Sequence, residues 1–138
     1  MISNRYAAVD LYMPEQLHRH IRDATGAGKP FERQIDAWWL AISVGVKASQ
    51  RRPMEPGAKT TKFMDGTIFG RDPWRIVHLE LLALATEGEE VLRHPTKVIA
   101  IASSYANYGL EWLINECLIG DVEPSVTILN RLDPAALG

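Results

Sequence analysis

Residues 35–46, IDAWWLAISVGV, hold one charged side chain in twelve positions and two adjacent tryptophans. They sit inside AGKPFERQIDAWWLAISVGVKASQRR, residues 27–52, where Lys29 and Arg33 precede the apolar run and Lys47, Arg51 and Arg52 follow it. The spacing of Phe31, Ile35, Trp38, Trp39, Ile42 and Val46 predicts a helix from about Pro30 to Ser49 with one buried stripe. Leu40 and Val44 carry the apolar surface beyond that stripe, so the second half of the helix is apolar nearly all round. In a small domain such a helix needs cover on both sides, which points to an oligomer. Trp38 and Trp39 are about 100° apart around the helix axis, so one can face the protomer's own core and the other a partner. The simpler alternative places both in one core. Val9, Leu11, Trp38, Trp39 and Ile42 are accordingly the candidate oligomer-interface residues.

At 138 residues the chain is expected to form one domain, 1–138. Within it lie a first half (1–50), a basic loop (51–72), an acidic helical half (73–120) and a tail (121–138). The start, MISNRYAAVDLYMPEQ, lacks the charge and apolar pattern of a signal peptide, and no apolar run is long enough to span a membrane. With the single cysteine, Cys117, this predicts a cytoplasmic protein without an internal disulfide.

The net charge of −2 conceals an asymmetry. Residues 1–62 carry ten Lys/Arg against six Asp/Glu, whereas 63–138 carry five against eleven. Lys47, Arg51, Arg52, Lys59 and Lys62 are opposed within their stretch only by Glu55. A basic patch suits an anionic partner such as double-stranded DNA, and an acidic half suits a basic protein surface. Lys29, Arg33, Lys47, Arg51, Arg52, Lys59 and Lys62 are the candidate DNA-binding residues. The bland alternative is a solvated, lysine-rich loop.

The fold class expected is mainly α. Val9, Leu11 and Met13 alternate with Asp10 and Tyr12, the period of a short strand. Pro14-Glu15 opens a helix carrying Leu17 and Ile21, which stops near Thr25-Gly26. Residues 50–72 read as loop, with a possible small hairpin around Asp65-Gly66. Asp72-Pro73 is a strong helix start, as N-cap and first position. The helix 73–86 is expected to bury Trp74, Val77, Leu81 and Leu84 or their neighbours. After a short turn at EEVLRH, one helix from Pro95 to Gly120, or two meeting at Gly109, completes a C-terminal helical hairpin. The tail holds only a weak strand-like SVTIL.

No residue set earns a catalytic role. TGAGKP lacks the phosphate-loop pattern, since Asp23 stands where its first glycine belongs and Pro30 where its Ser/Thr belongs. His18 and His20 are two apart and point to nearly opposite helix faces, and His78 and His94 have no partner at ligand spacing. Cys117 reads as core, and Glu87, Glu89 and Glu90 as a solvated corner. No cofactor and no metal are expected.

The order strand, helix, turn, helix over residues 6–49 resembles a ribbon–helix–helix unit, in which strands from two copies form a ribbon. That likeness implies outward strand residues Ala8, Asp10 and Tyr12 over a DNA groove, with Lys29 and Arg33 near a phosphate. Asp10 fits such a groove poorly because it would meet a negative surface. The strand needs a partner in any case: a second copy, or a strand formed by 63–69 or 125–129.

PFERQIDAWWLAISVGVK, LLALATEGEEVLRH and SYANYGLEWL resemble, in order and approximate spacing, small accessory proteins encoded with bacterial DNA phosphorothioation (Dnd) systems. The likeness spans roughly residues 30–114, and none of its motifs is chemically diagnostic. It implies a non-catalytic accessory or adaptor subunit of a DNA-modification and antiphage defence system. Such a subunit would act by oligomerising and holding larger protein subunits together. The alternative is a DNA-binding module built on the basic patch.

Overall fold

The computed structural model describes residues 4–118. Two strands and four helices follow in the order β1 (Asp10–Pro14), α1 (Glu15–Asp23), α2 (Gln34–Ala48), β2 (Thr60–Asp65), α3 (Pro73–Glu87) and α4 (Pro95–Leu113). Short 3-10 turns, Gly66–Gly70 and Glu89–Arg93, lead into and out of α3, and a π-helical turn, Ile114–Leu118, ends the described chain. The architecture is mainly helical, with a short strand pair at one side. SVTIL lies outside the described residues.

α2 and α4 form the central pair. They run antiparallel, with Gly45 over Tyr105 and Gly109 over Ala41, so close that a Cβ on either glycine would strike the opposing backbone. Gly45 and Gly109 thus sit where the helix axes draw together. α2 ends at Ser49, in the left-handed region with φ 55°, and the N–H of Gln50 donates to the Gly45 carbonyl at 2.9 Å. This closes the helix in the manner glycine usually provides.

β1 alternates as its sequence requires: Leu11 and Met13 are buried, Asp10 and Tyr12 exposed. It pairs antiparallel with β2 of the same chain, from Asp10 opposite Asp65 to Pro14 opposite Thr60, with an irregularity between Leu11 and Tyr12. The strand's partner is therefore internal and overlaps the 63–69 alternative, while the hairpin expected around Asp65-Gly66 is replaced by β2 running into a 3-10 turn. The Asp65 carboxylate accepts the Thr67 N–H at 3.0 Å and caps that turn. Hydrogen bonds from the Thr67 hydroxyl and N–H lower the Asp65 pKa.

Trp38 is fully buried beneath the strand pair, its ring centroid 6.0 Å from that of Phe63. Tyr6 is also fully buried and donates its hydroxyl to Glu80 at 2.8 Å, tying the N-terminal segment to α3. Burial and that bond raise the Tyr6 pKa, because both favour the neutral phenol.

On α3 the neighbours of the four named residues are buried, and the four themselves are not. Trp74, Val77, Leu81 and Leu84 are exposed at 49%, 56%, 56% and 41%, while Arg75, Leu79 and Ala83 are buried. The helix carries two apolar faces, and α4 takes the one with Leu79 and Ala83. Asp72 is the N-cap residue as expected, with Pro73 at the first position. Its carboxylate, however, accepts from Arg75 Nε at 3.3 Å and not from a backbone N–H.

Candidate functional site

Two surfaces stand out: a basic strap laid on α4, and an aromatic face shared by α2 and α3.

The strap begins where α2 ends. The Arg52 N–H donates to the Ser104 carbonyl at 2.7 Å, and Asn107 Nδ2 donates to the Arg52 carbonyl at 3.0 Å. Arg51 Nε donates to Ser104 Oγ at 2.9 Å, and its guanidinium lies 5.4 Å from the Tyr105 ring centroid and 4.0 Å from Glu87. Arg52 lies 5.9 Å from the Tyr108 centroid and is paired with Glu111. The segment SYANYGLE of α4 is thus a docking strip: Ser104, Tyr105, Asn107, Tyr108 and Glu111 hold the strap, and Gly109 admits α2. Open clefts of about 750 and 640 Å³ flank the strap. The first includes His20, Arg52 and Glu111, the second Tyr12, Arg51 and Lys97.

The aromatic face is built around a buried cation. The Arg75 guanidinium carbon lies 4.8 Å from the Trp39 centroid and 4.5 Å from the Trp74 centroid. Arg75 Nε and Nη2 meet Asp72 at 3.3 Å and Asp36 at 3.7 Å. The two indoles meet edge to face at 5.4 Å, with His78 edge-on to both. A groove of about 380 Å³ continues between the helices, lined by Trp39, Ile42, Val46, His78 and Leu82 among others, with Lys47 at its border. Trp74 is therefore exposed and yet held in place from beneath.

Residues 14–136 match the family model described as DNA sulphur modification system-associated protein 4. The chain belongs to this family. No curated protein and no solved structure matches the chain. The span shared with the sulphur modification system-associated family takes in α1 through α4, and with them both surfaces.

The residues singled out in the sequence are distributed over this family member as follows. Leu11 and Trp38 are fully buried and Ile42 is 8% exposed, so these three belong to the protomer's own core. Val9 and Trp39 are part-exposed. Among the basic candidates, Arg33 pairs with Asp36 and Asp72, Lys62 with Asp10 at 3.1 Å, and Arg51 and Arg52 with α4 as above. The bond to Asp10 raises the Lys62 pKa. Lys29, Lys47 and Lys59 are exposed and make no ion pair among the described residues. Lys29 sits in the α1–α2 turn, Lys47 at the end of α2 and Lys59 just before β2, so the basic residues do not gather into one cluster. Among the described residues no group of three or more His, Cys, Asp or Glu could hold a metal ion, and no helix is long and apolar enough to cross a membrane.

Arg75 and the α3 stripe are what sequence reasoning missed. The signal was present: Trp74, Val77, Leu81 and Leu84 form one stripe, Ile76, Leu79 and Ala83 a second, and one neighbouring helix can cover only one of them.

Proposed function

We propose that the chain is a non-catalytic accessory subunit of a bacterial DNA sulphur modification and antiphage defence system, acting by assembling with itself and with larger proteins of that system. The observation that carries this reading is the exposed α3 stripe, backed by the Arg75–tryptophan cluster. Soluble monomers rarely leave an apolar stripe of this kind open unless a partner covers it. Aromatic residues held in one conformation lose little entropy on binding and are the side chains that dominate interfaces. The family's association with a modification system supplies the context for larger partners, and the acidic second half of the chain suits a basic surface on one of them.

Co-expression with the system proteins encoded beside it tests the role. A tagged copy is expected to co-purify stoichiometrically with at least one of them through a high-salt wash. Recovery of the tagged chain without any of them counts against the role.

Duplex DNA binding is the second reading, favoured by Lys29, Lys47 and Lys59, which are exposed and make no ion pair among the described residues. It requires affinity to fall steeply between about 50 and 200 mM salt and to be lost when these three lysines become alanine. The strap arginines are poorer probes, because removing them also loosens the contact with α4.

A further inference from the structure

The first cleft beside the strap is bounded by three elements. α1 supplies Leu17, the strap supplies Arg52 and Met54, and the end of α4 with the turn after it supplies Asn107, Glu111 and Ile114. Asn107 is 4% exposed, and it lines this cleft and not the one on the other side of the strap. Its Nδ2 donates to the Arg52 carbonyl, which fixes which end of the amide is the oxygen. That oxygen, Oδ1, has no hydrogen-bond partner among the described residues. Buried oxygens normally have one, so a donor is missing here.

The surrounding groups select the donor. Glu111 pairs with Arg52 at the cleft, both side chains reaching solvent, and Glu55 lines the strap side. Beyond that pair a depression of about 170 Å³ is lined by Tyr108 and Trp112. Carboxylates, an unpartnered amide oxygen and aromatic rings form a set suited to a guanidinium, which is planar, donates only and is drawn to ring faces. α4 already holds two of them, Arg51 through Ser104 and Tyr105, and Arg52 through Tyr108 and Glu111. An anionic ligand is disfavoured, because Glu55 and Glu111 both line the cleft.

We infer that the cleft binds an arginine side chain presented by a partner protein, with Arg52 as its internal competitor. This rests on the reading that the chain acts by assembly, and it names the chemistry of one contact. The incoming guanidinium displaces the Arg52 side chain from Glu111 and donates to the Glu111 carboxylate. Opening that pair gives it the way to Asn107 Oδ1, while its stem lies against Leu17, Met54 and Ile114. A solvent-exposed pair costs little to open. The strap stays in place, because its bonds to the Ser104 carbonyl and from Asn107 Nδ2 are made by the main chain of Arg52. What the exchange gains is a partner for Asn107 Oδ1, which Arg52 does not provide.

The test is a titration of the isotope-labelled full chain with N-acetylarginine amide, followed by nuclear magnetic resonance at the Asn107 side-chain amide. A saturable shift is expected, and none with the neutral isostere N-acetylcitrulline amide. Arg52→Gln removes the competitor and should tighten binding about five-fold, the worth of one partly solvated charge-assisted contact. Adding Glu111→Gln to that variant should reverse the gain, with helical content unchanged by circular dichroism in both. No shift with the arginine compound, or an equal shift with the citrulline one, overturns the proposal. So does an Arg52→Gln variant that binds no tighter, or a double variant that keeps the gain. A shift produced by deoxyadenosine monophosphate instead would make the cleft a nucleotide site and overturn it too. Co-purification that survives such a result keeps the accessory role and moves the contact elsewhere. Arginine binding without co-purification keeps the cleft and removes that role.

Discussion

The Arg75 guanidinium carbon lies 4.5 Å from the centroid of the Trp74 indole, with the same arginine paired to Asp72 beneath it. A side chain that is 5% exposed therefore fixes one that is 49% exposed. Replacing Arg75 with Met keeps the stem but leaves Asp36 and Asp72 with only the more exposed Arg33 between them. The expected loss is about 2–3 kcal/mol, below that of a fully buried pair because both carboxylates reach solvent. Arg75→Lys keeps the charge and loses the stacked plane, with an expected loss of about 1–2 kcal/mol. Urea titrations measure both, and a Lys variant as stable as the wild type would remove the stacking from the account.

Gly45 and Gly109 make a prediction whose sign is decisive. In an exposed helix, Gly→Ala stabilises by about 1 kcal/mol. Here a methyl group at position 109 meets the Ala41 carbonyl, and one at position 45 meets that of Tyr105. Each alanine variant is expected to destabilise by about 3 kcal/mol, the upper end of overpacking, in thermal or urea melts. A gain in stability would show that α2 and α4 are not in this close contact.

Much of this was readable in advance. The alternation Leu11, Tyr12, Met13 marks β1, Asp72-Pro73 marks the start of α3, and the apolar run 35–46 marks the central helix. The α3 face was not readable, because a helix apolar on two sides has no single preferred direction. Choosing between Trp74–Val77–Leu81 and Ile76–Leu79–Ala83 depends on where α4 lies and on the burial of Arg75, which a charged residue does not advertise. The strap was half legible. Arg51 and Arg52 read as part of a basic patch, but their contacts with Ser104, Tyr105, Asn107, Tyr108 and Glu111, more than fifty residues away, were not readable.

That attachment gives Arg51 and Arg52 a part in holding the strap on α4. The double alanine variant is expected to lose about 1–2 kcal/mol, from one charge-assisted hydrogen bond and two largely solvent-screened pairs. Single alanines at Lys29, Lys47 or Lys59 should change stability by less than about 0.5 kcal/mol. Chemical denaturation of the four variants checks the contrast, and equal stabilities would contradict the strap.

Tyr6 predicts the alkaline limb of stability. Its folded pKa is raised, first by burial and then by the hydrogen bond to Glu80. Above about pH 10 the unfolded chain loses a phenolic proton that the folded chain retains. The contribution is thus complete below pH 10 and declines as pH rises beyond it. Lys62, also raised, acts in the same direction and is present in both proteins compared. Tyr6→Phe should show a shallower alkaline decline than the wild type in denaturation series from pH 8 to about 11. Parallel curves would mean that the phenol is not buried against Glu80.

The most direct test of the central claim is the mass of the purified protein by light scattering, from low micromolar to high concentration. One chain is 15.4 kDa. The wild type is expected at twice that mass, and Leu81→Glu, which changes only an exposed position of α3, at the single-chain mass with its fold intact. A wild type that stays at 15.4 kDa throughout, or a Leu81→Glu variant that keeps the doubled mass, would contradict assembly through this face.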